Sequence, residues 1–370
     1  MKTNSELQYA YGQIMQAVRA EDIFGMPGEG QDALEAVKRI YRRLSKVVHP
    51  DRHNNDPDAK EMAEEAFKRL NEFFEKAESK IAKGVYGTRA EEDESAKRGN
   101  GFVIKTRKRE YRITSTIAQG DIAIVYGGDC IGGDDFSGKV AVKVAENPED
   151  NDLIQNEVRI LRLFQTEPSK QSKHLPVMLD QFKTSDNQLG TILRYLEAYD
   201  WYSVREKYPD GVPQEHAAWM LARSLSVLGY SHSKGVVHGD IEPAHLMTSP
   251  KDHNVFVIDW SYAAVNSLQT GDGFKVLNET YGPPEVKTRA MPTPASDLYS
   301  LGKCLIYLLG GDVKKNTMPY GVDQRFQRFI QFFVRESALQ RAQDAWEMHG
   351  KLMELRTEIW GHQGFIEFLM

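Results

Sequence analysis

The apolar pattern of this 370-residue chain changes period near residue 101, from helical before it to strand-like after it. A hydrophobic stripe at helical spacing and one at strand spacing need different packing partners, so the chain must hold at least two separately built parts. Residues 31–48 are predicted to form one helix, with Leu34, Val37, Ile40, Tyr41, Leu44 and Val48 at helical spacing. Residues 56–81 are predicted to form a second, with Asp56 as N-cap and Pro57 at the first helical position. Its inner face carries Ala63, Phe67, Leu70, Phe74, Ala77 and Ile81. Leu7, Tyr11, Ile14 and Val18 fit a further helix packed on this pair. Beyond residue 101 come short β-rich runs at 102–104, 111–113, 122–126 and 140–144, separated by glycine turns, and helical patterns dominate after Asp150. Between the two regimes, residues 84–100 carry three glycines and a run of charge, and are predicted to be a linker. The expected organisation is α+β: an all-α module over 1–83, the linker 84–100, a β-rich part over 101–196 and an α-rich part over 197–370.

Composition narrows the function classes. With 41% apolar and 27% charged residues, the length suffices for two or three packed domains. No run is apolar enough to span a membrane, and residues 1–20 lack the apolar core of a signal peptide. Two cysteines, Cys130 and Cys304, make no disulfide framework, so a reducing compartment and a cytoplasmic location are expected. A net charge of −6 argues against general nucleic-acid binding. Up to Lys83 the chain has 14 basic and 15 acidic residues, so the first module is nearly neutral. Its positive charge is nonetheless segregated: Arg39, Arg42, Arg43 and Lys46 fall on one helix face, where they can steer an acidic partner.

The tripeptide His49-Pro50-Asp51 joins the two predicted helices at the end of that basic stripe. A helix pair joined by a loop with exposed His, Pro and Asp resembles a J-domain, the module that recruits Hsp70 chaperones. The stretch Ala66-Phe67-Lys68-Arg69-Leu70-Asn71-Glu72 is similar to that family's third helix, whereas Asp22-Ile23-Phe24-Gly25 matches its opening motif only loosely. The resemblance implies an Hsp70-type partner contacted by His49, Pro50 and Asp51 with Arg39, Arg42, Arg43 and Lys46.

The motifs after residue 101 resemble, in order, those of a eukaryotic-type protein kinase. Residues 117–126 look like its glycine-rich loop, with only the middle glycine kept, as Gly120 between Ala118 and Ala123. Val140-Ala141-Val142-Lys143 looks like the strand whose lysine holds the α- and β-phosphates of ATP, and Glu157 sits where the family's helix glutamate pairs with that lysine. Val237-His238-Gly239-Asp240-Ile241-Glu242-Pro243-Ala244-His245-Leu246 is similar to the catalytic loop, which makes Asp240 the base that orients the acceptor hydroxyl. Val257-Ile258-Asp259-Trp260-Ser261 resembles the DFG motif, which makes Asp259 a metal ligand. Tyr281-Gly282-Pro283-Pro284-Glu285 looks like the end of the activation segment, with Arg341 as a partner for Glu285, and residues 296–302 look like the buried helix that follows. The resemblance implies ATP with Mg²⁺ or Mn²⁺ as cofactors, a protein substrate, and adenine held between Val125 and Ala141 above and Met247 below.

Three departures bear on activity. Gly239 replaces the arginine that usually reads activation-loop phosphorylation. Glu242 stands where a lysine commonly neutralises the transferring phosphate. His245 replaces the asparagine that binds a second metal, and is either a ligand favouring softer ions such as Mn²⁺ or a hydrogen-bonding residue of the loop. Three readings stay open at this level: an active kinase coupled to a co-chaperone module, a catalytically weak or inactive pseudokinase scaffold, and a small-molecule phosphotransferase. The segment ending at Glu285 favours the protein-kinase branch over the last.

Overall fold

The computed structural model describes residues 33–53, 56–82, 102–133, 135–166, 169–361 and 365–370, with Leu7, Ala10, Tyr11, Ile14, Met15, Ala17 and residues 20–25 from the N-terminal stretch. The predicted linker 84–100 and Val18 lie outside the described residues. The chain divides into two compact units, residues 1–100 and 101–370.

The first unit is helical, with α1 (Ala20–Phe24), α2 (Ala33–Val48) and α3 (Pro57–Ala82). The predicted cap forms: the Ala59 amide donates to Asp56 Oδ1 at 3.2 Å, satisfying one of the orphan donors of the first turn of α3. Val37, Leu44 and Val48 of α2 meet Ala63, Ala66, Leu70 and Ala77 of α3 in a buried core that also takes in Leu7 and Ile14. Tyr41 stacks on Phe74 at 4.1 Å and donates its hydroxyl to Asn71 Oδ1 at 2.6 Å, fixing the register of the two helices. The loop between them is tethered to the last carbonyls of α2. Arg52 donates to Lys46 O at 2.6 Å, and the His53 ring lies 2.9 Å from Val47 O. His49 Nδ1 accepts from the Asp51 amide at 3.3 Å and its ring sits edge-on to Phe67 at 5.1 Å, so the tripeptide is held in a short 3₁₀ turn with Asp51 exposed. Arg39, Arg42, Arg43 and Lys46 are all exposed on α2.

The second unit opens with a six-stranded antiparallel sheet, order β1-β2-β3-β4-β6-β5. The strands are β1 (Val103–Lys105), β2 (Glu110–Gln119), β3 (Ala123–Gly132), β4 (Gly138–Ala145), β5 (Met178–Lys183) and β6 (Leu189–Arg194), with α4 (Asn151–Thr166) inserted after β4. In β4, Val140 and Val142 are buried in the sheet's core with Tyr111, Ile113 and Ile192. By the period of two, Ala141 and Lys143 share the other face. The register pairs Val125 with Lys143 and Gly127 with Ala141, which brings Val125 to that same face. β2 and β3 run well beyond the predicted runs, because the outer half of β2 is exposed on both faces and shows no alternation.

The rest of the unit is mostly helical. Short strands β7 (Tyr199–Asp200), β8 (Val236–Val237), β9 (Leu246–Ser249), β10 (Asn254–Val257) and β11 (Ala264–Val265) carry loops between helices α5 (Trp201–Lys207), α6 (Gln214–Ser233), α7 (Pro294–Leu308), α8 (Gln324–Phe333) and α9 (Ala345–Trp360). α6 and α7 are buried on nearly every side, so neither shows the one-sided apolar stripe of a surface helix. Arg341, fully buried, donates to Glu285 Oε2 at 2.6 Å and lies 4.9 Å over the Tyr299 ring, so the predicted pair ties the segment ending at Glu285 to α7. The result is a bilobal fold, a curled sheet with one helix followed by a helical lobe. Among the described residues no helix is long and apolar enough to cross a membrane, and Cys130 and Cys304 are free.

Candidate active site

Lys143 enters from β4 and is almost fully buried, so its ammonium must be met by acceptors or lose its charge. It is met by three: Asp259 Oδ1 at 2.7 Å, Ser261 Oγ at 2.9 Å and Glu157 Oε2 at 3.1 Å. Asp259 and Ser261 accept hydrogen bonds from it, and Glu157 adds the charge of an ion pair beside them. Burial alone would lower the Lys143 pKa, but the charges of Asp259 and Glu157 reverse this and hold it above the usual lysine range. Burial would likewise raise the Asp259 carboxyl, yet Lys143 and then His245 hold it well below the usual carboxylate range. Glu157 is raised by its burial.

α4 is latched onto the segment that follows Asp259 by two adjacent side chains. Glu157 Oε1 accepts from the Trp260 amide at 3.1 Å, and Asn156 Nδ2 donates to Ser261 O at 2.9 Å and Ala263 O at 2.8 Å. Trp260 is fully buried, 5.0 Å from the Phe164 ring and 4.7 Å from that of His238. Its bulk in place of a phenylalanine is absorbed by this contact with α4 and the loop before Asp240. Asp259 itself has φ +58, the left-handed region that a non-glycine residue occupies at a cost, as side chains at functional sites often do.

The loop carrying Asp240 is fixed from below by a residue with no predicted role. Asp297 of α7, itself buried, accepts from the His238 amide at 2.8 Å and the Gly239 amide at 2.9 Å, and lies 2.9 Å from His232 Nε2. Gly239 takes φ +79, where a side chain would be strained, so replacing the expected arginine with glycine also relieves this turn. The His238 ring accepts from the Asp240 amide at 3.3 Å and lies 2.9 Å from Ile258 O; burial lowers its pKa to about 4, so it is a neutral spacer between the two aspartate loops. Burial raises the Asp240 carboxyl to about 6, within the range where a carboxylate can exchange a proton near neutral pH.

His245 Nδ1 lies 2.7 Å from Asp240 O, a hydrogen bond that makes Nδ1 the donor. Nε2 is thereby turned to Asp259 Oδ2 at 3.8 Å and Glu242 Oε1 at 3.9 Å. Burial would lower the imidazole pKa, but Asp259, Asp240 and Glu242 together raise it. The hydrogen-bonding role open for His245 is thus filled by Nδ1. The Asp259 carboxylate is a hard oxygen donor that suits Mg²⁺, and a neutral His245 would add a softer nitrogen beside it.

Glu242 is restrained by a residue absent from the sequence reading. Asn278 Nδ2 donates to Glu242 Oε2 at 2.8 Å and to Asp240 Oδ1 at 3.2 Å, while its Oδ1 accepts from the Tyr281 amide at 3.0 Å. One carboxamide thus holds both carboxylates and anchors the stretch before Glu285; a threonine has one donor and an aspartate none, so neither could do all three. No spacing rule singles out Asn278, because its partners lie 36 and 38 residues away. Asp297, Ser261 and Asn156 fell inside or beside quoted motifs, and only the fold reveals their bonds. Gly120 occupies the turn between β2 and β3, where its amide donates to Ala123 O at 2.9 Å; an added Cβ would meet only that oxygen, at 3.7 Å, so the hairpin itself does not demand glycine. Val125 and Ala141 are half-buried on the sheet, and Met247 is half-buried on β9 of the helical lobe.

Removing the Asn278 carboxamide leaves two neighbouring carboxylates without a shared donor. Asn278→Ala is expected to cost about 1.5–3 kcal/mol, as hydrogen bonds to charged groups do. It should also speed hydrogen exchange at the Tyr281 amide, and unchanged exchange there would contradict the clamp.

Comparison with known proteins agrees with this geometry. The protein kinase domain family matches residues 111–350, more than half of the chain; the match does not reach the helical unit. Serine/threonine-protein kinase D of Synechocystis is 27% identical over 183 residues, 45% of this chain and 34% of that protein. Serine/threonine-protein kinase B of the same organism is 29% identical over 154 residues, 38% of this chain and 26% of that protein. The maternal embryonic leucine zipper kinase of Danio rerio is 26% identical over 212 residues, 55% of this chain and 29% of that protein. The chain therefore spans about a third or less of the length of these relatives. With its bilobal fold, its buried Lys143–Glu157 pair and this match over residues 111–350, the chain belongs to the protein kinase family.

Proposed function

We propose that residues 101–370 bind ATP with a divalent metal and transfer its terminal phosphate slowly to serine or threonine hydroxyls of a protein substrate. The observation that carries this reading is the placement of Lys143 between Glu157 and Asp259, at 3.1 and 2.7 Å, with Asp240 presented on the adjacent loop. A bound metal would draw on Asp259 and supply charge neutralisation for the phosphates; Lys143 would hold phosphate oxygens, with Glu157 keeping it oriented. Asp240, held by Asn278, would position the acceptor hydroxyl and take its proton. Glu242 accounts for the low rate: it adds negative charge beside a transferring phosphate, where the transition state favours positive charge. His245 tilts any second metal site toward Mn²⁺.

The same features support a pseudokinase scaffold as the second reading, because a site with Glu242 in place of lysine can bind nucleotide without transferring phosphate. Labelled ATP separates the two. Transfer by the full chain is expected to be detectable and faster with Mn²⁺ than with Mg²⁺, absent in Asp259→Ala, and faster in Glu242→Lys. Nucleotide binding without labelled product under either metal would favour the scaffold.

We further propose that residues 1–83 act as a J-domain and stimulate the ATPase of an Hsp70-type chaperone, bringing the kinase to chaperone clients. Support comes from the tethered turn of His49, Pro50 and Asp51 at the end of the exposed stripe of Arg39, Arg42, Arg43 and Lys46. His49→Gln is expected to abolish stimulation while leaving the helical content unchanged, since this side chain is half exposed and lies outside the core. Stimulation equal to wild type in that variant would remove the chaperone role.

A further inference from the structure

Away from the candidate active site, the curled sheet closes on itself through a buried arginine. Arg109, in the turn between β1 and β2, donates to Leu179 O at 3.0 Å and Asp180 Oδ2 at 2.9 Å on β5, and pairs with Asp135. Thr106 Oγ1 and the Tyr111 hydroxyl donate to the same Asp180 oxygen. At this seam lies an open groove of about 770 Å³, within the size range of ligand sites.

The groove's charge is one-sided. Lys105, Arg107, Lys108, Arg162 and Lys183 line it, and Asp180 is the one acidic residue that does so. Asp180 is held by Arg109, Thr106 and Tyr111 from within the sheet, and the five cations of the rim outnumber it. Among the described residues, Arg107, Lys108 and Lys183 make no ion pair; Lys105 has an exposed pair with Glu110, which is weak. This stands out in a chain whose net charge is −6. The floor is different: Met178, Leu179 and Phe182 of β5 are partly buried and apolar. β5 is also the last strand of the sheet, with β6 on one side only.

We propose that this groove binds an extended acidic segment of a partner protein. The cations come from the β1–β2 turn, from α4 and from the far end of β5, a strand whose six residues span roughly 20 Å at the usual rise per residue. A compact anion would engage one end of such a row; an extended chain with carboxylates or phosphates along it engages the whole. The apolar floor suits a polypeptide with hydrophobic residues between its charges and offers nothing to a sugar–phosphate backbone. None of these residues belongs to the candidate active site, so the groove is independent of whether phosphate is transferred.

The test is fluorescence anisotropy of the full chain with a labelled twelve-residue probe of glutamates and aspartates interrupted by leucines. Saturable binding is expected at low salt, weakening as salt rises. The double variant Arg107→Glu/Lys108→Glu, at exposed positions, should weaken binding at least tenfold with no change in melting temperature. Lys314→Glu/Lys315→Glu, at exposed positions outside the groove, should leave it unchanged. Equal affinity in wild type and the groove variant, an equal loss of binding in the Lys314→Glu/Lys315→Glu variant, or tighter binding of a single-stranded oligonucleotide of equal charge would each overturn the proposal.

Discussion

Everything at the candidate site depends on one buried ammonium. Lys143 sits where water cannot solvate it, so Asp259 and Ser261 take its hydrogen bonds and Glu157 pairs with its charge. Because those acceptors come from α4 and from the segment after β10, the position of one side chain fixes the position of both elements relative to the sheet. Glu157 then reaches on to the Trp260 amide, and Asn156 to two carbonyls beyond it, so α4 and the Asp259 segment are bound as one piece. The left-handed backbone at Asp259 is held in place by these contacts.

The second constraint lies in the helical lobe. Asp297 gathers the His238 and Gly239 amides, and Ser296 of the same helix donates to Glu285, which Arg341 also holds, so α7 carries both the loop with Asp240 and the end of the segment that follows Asp259. Between them Asn278 clamps Asp240 and Glu242 together. That clamp gives the departures from the family pattern a physical setting. Glu242 is a carboxylate where charge of the opposite sign would help transfer, yet it is hydrogen-bonded rather than left as a loose repulsive charge. His245 spends one nitrogen on the loop's own backbone and turns the other toward the carboxylates of Asp259 and Glu242.

Much of this was legible in the sequence, and the reasons differ by element. The helices of the first unit were readable because their stripes are one-sided and the cap at Asp56 is local chemistry. The Lys143–Glu157 and Glu285–Arg341 pairs were readable because Lys143, Glu157 and Glu285 sit in motifs of known order, with Arg341 offered as the partner of the last. The full length of β2 and β3 was not, since exposed strand ends carry no alternation. Asn278 was also invisible: its partners are distant in sequence, and a polar residue in a loop has no pattern to mark it. The groove beside β5 was hidden for the same reason, since its cations are scattered through 105–183 and converge only when the sheet curls.

The most direct measurement is calorimetric titration of the full chain with ATP in the presence of Mg²⁺, set beside the same titration of Lys143→Ala. One-to-one binding is expected in the wild type, with affinity reduced at least tenfold in the variant, where Glu157 and Asp259 face each other without their cation. Equal affinity in the two proteins, or no nucleotide binding to the wild type with either Mg²⁺ or Mn²⁺, would contradict the central role assigned to Lys143.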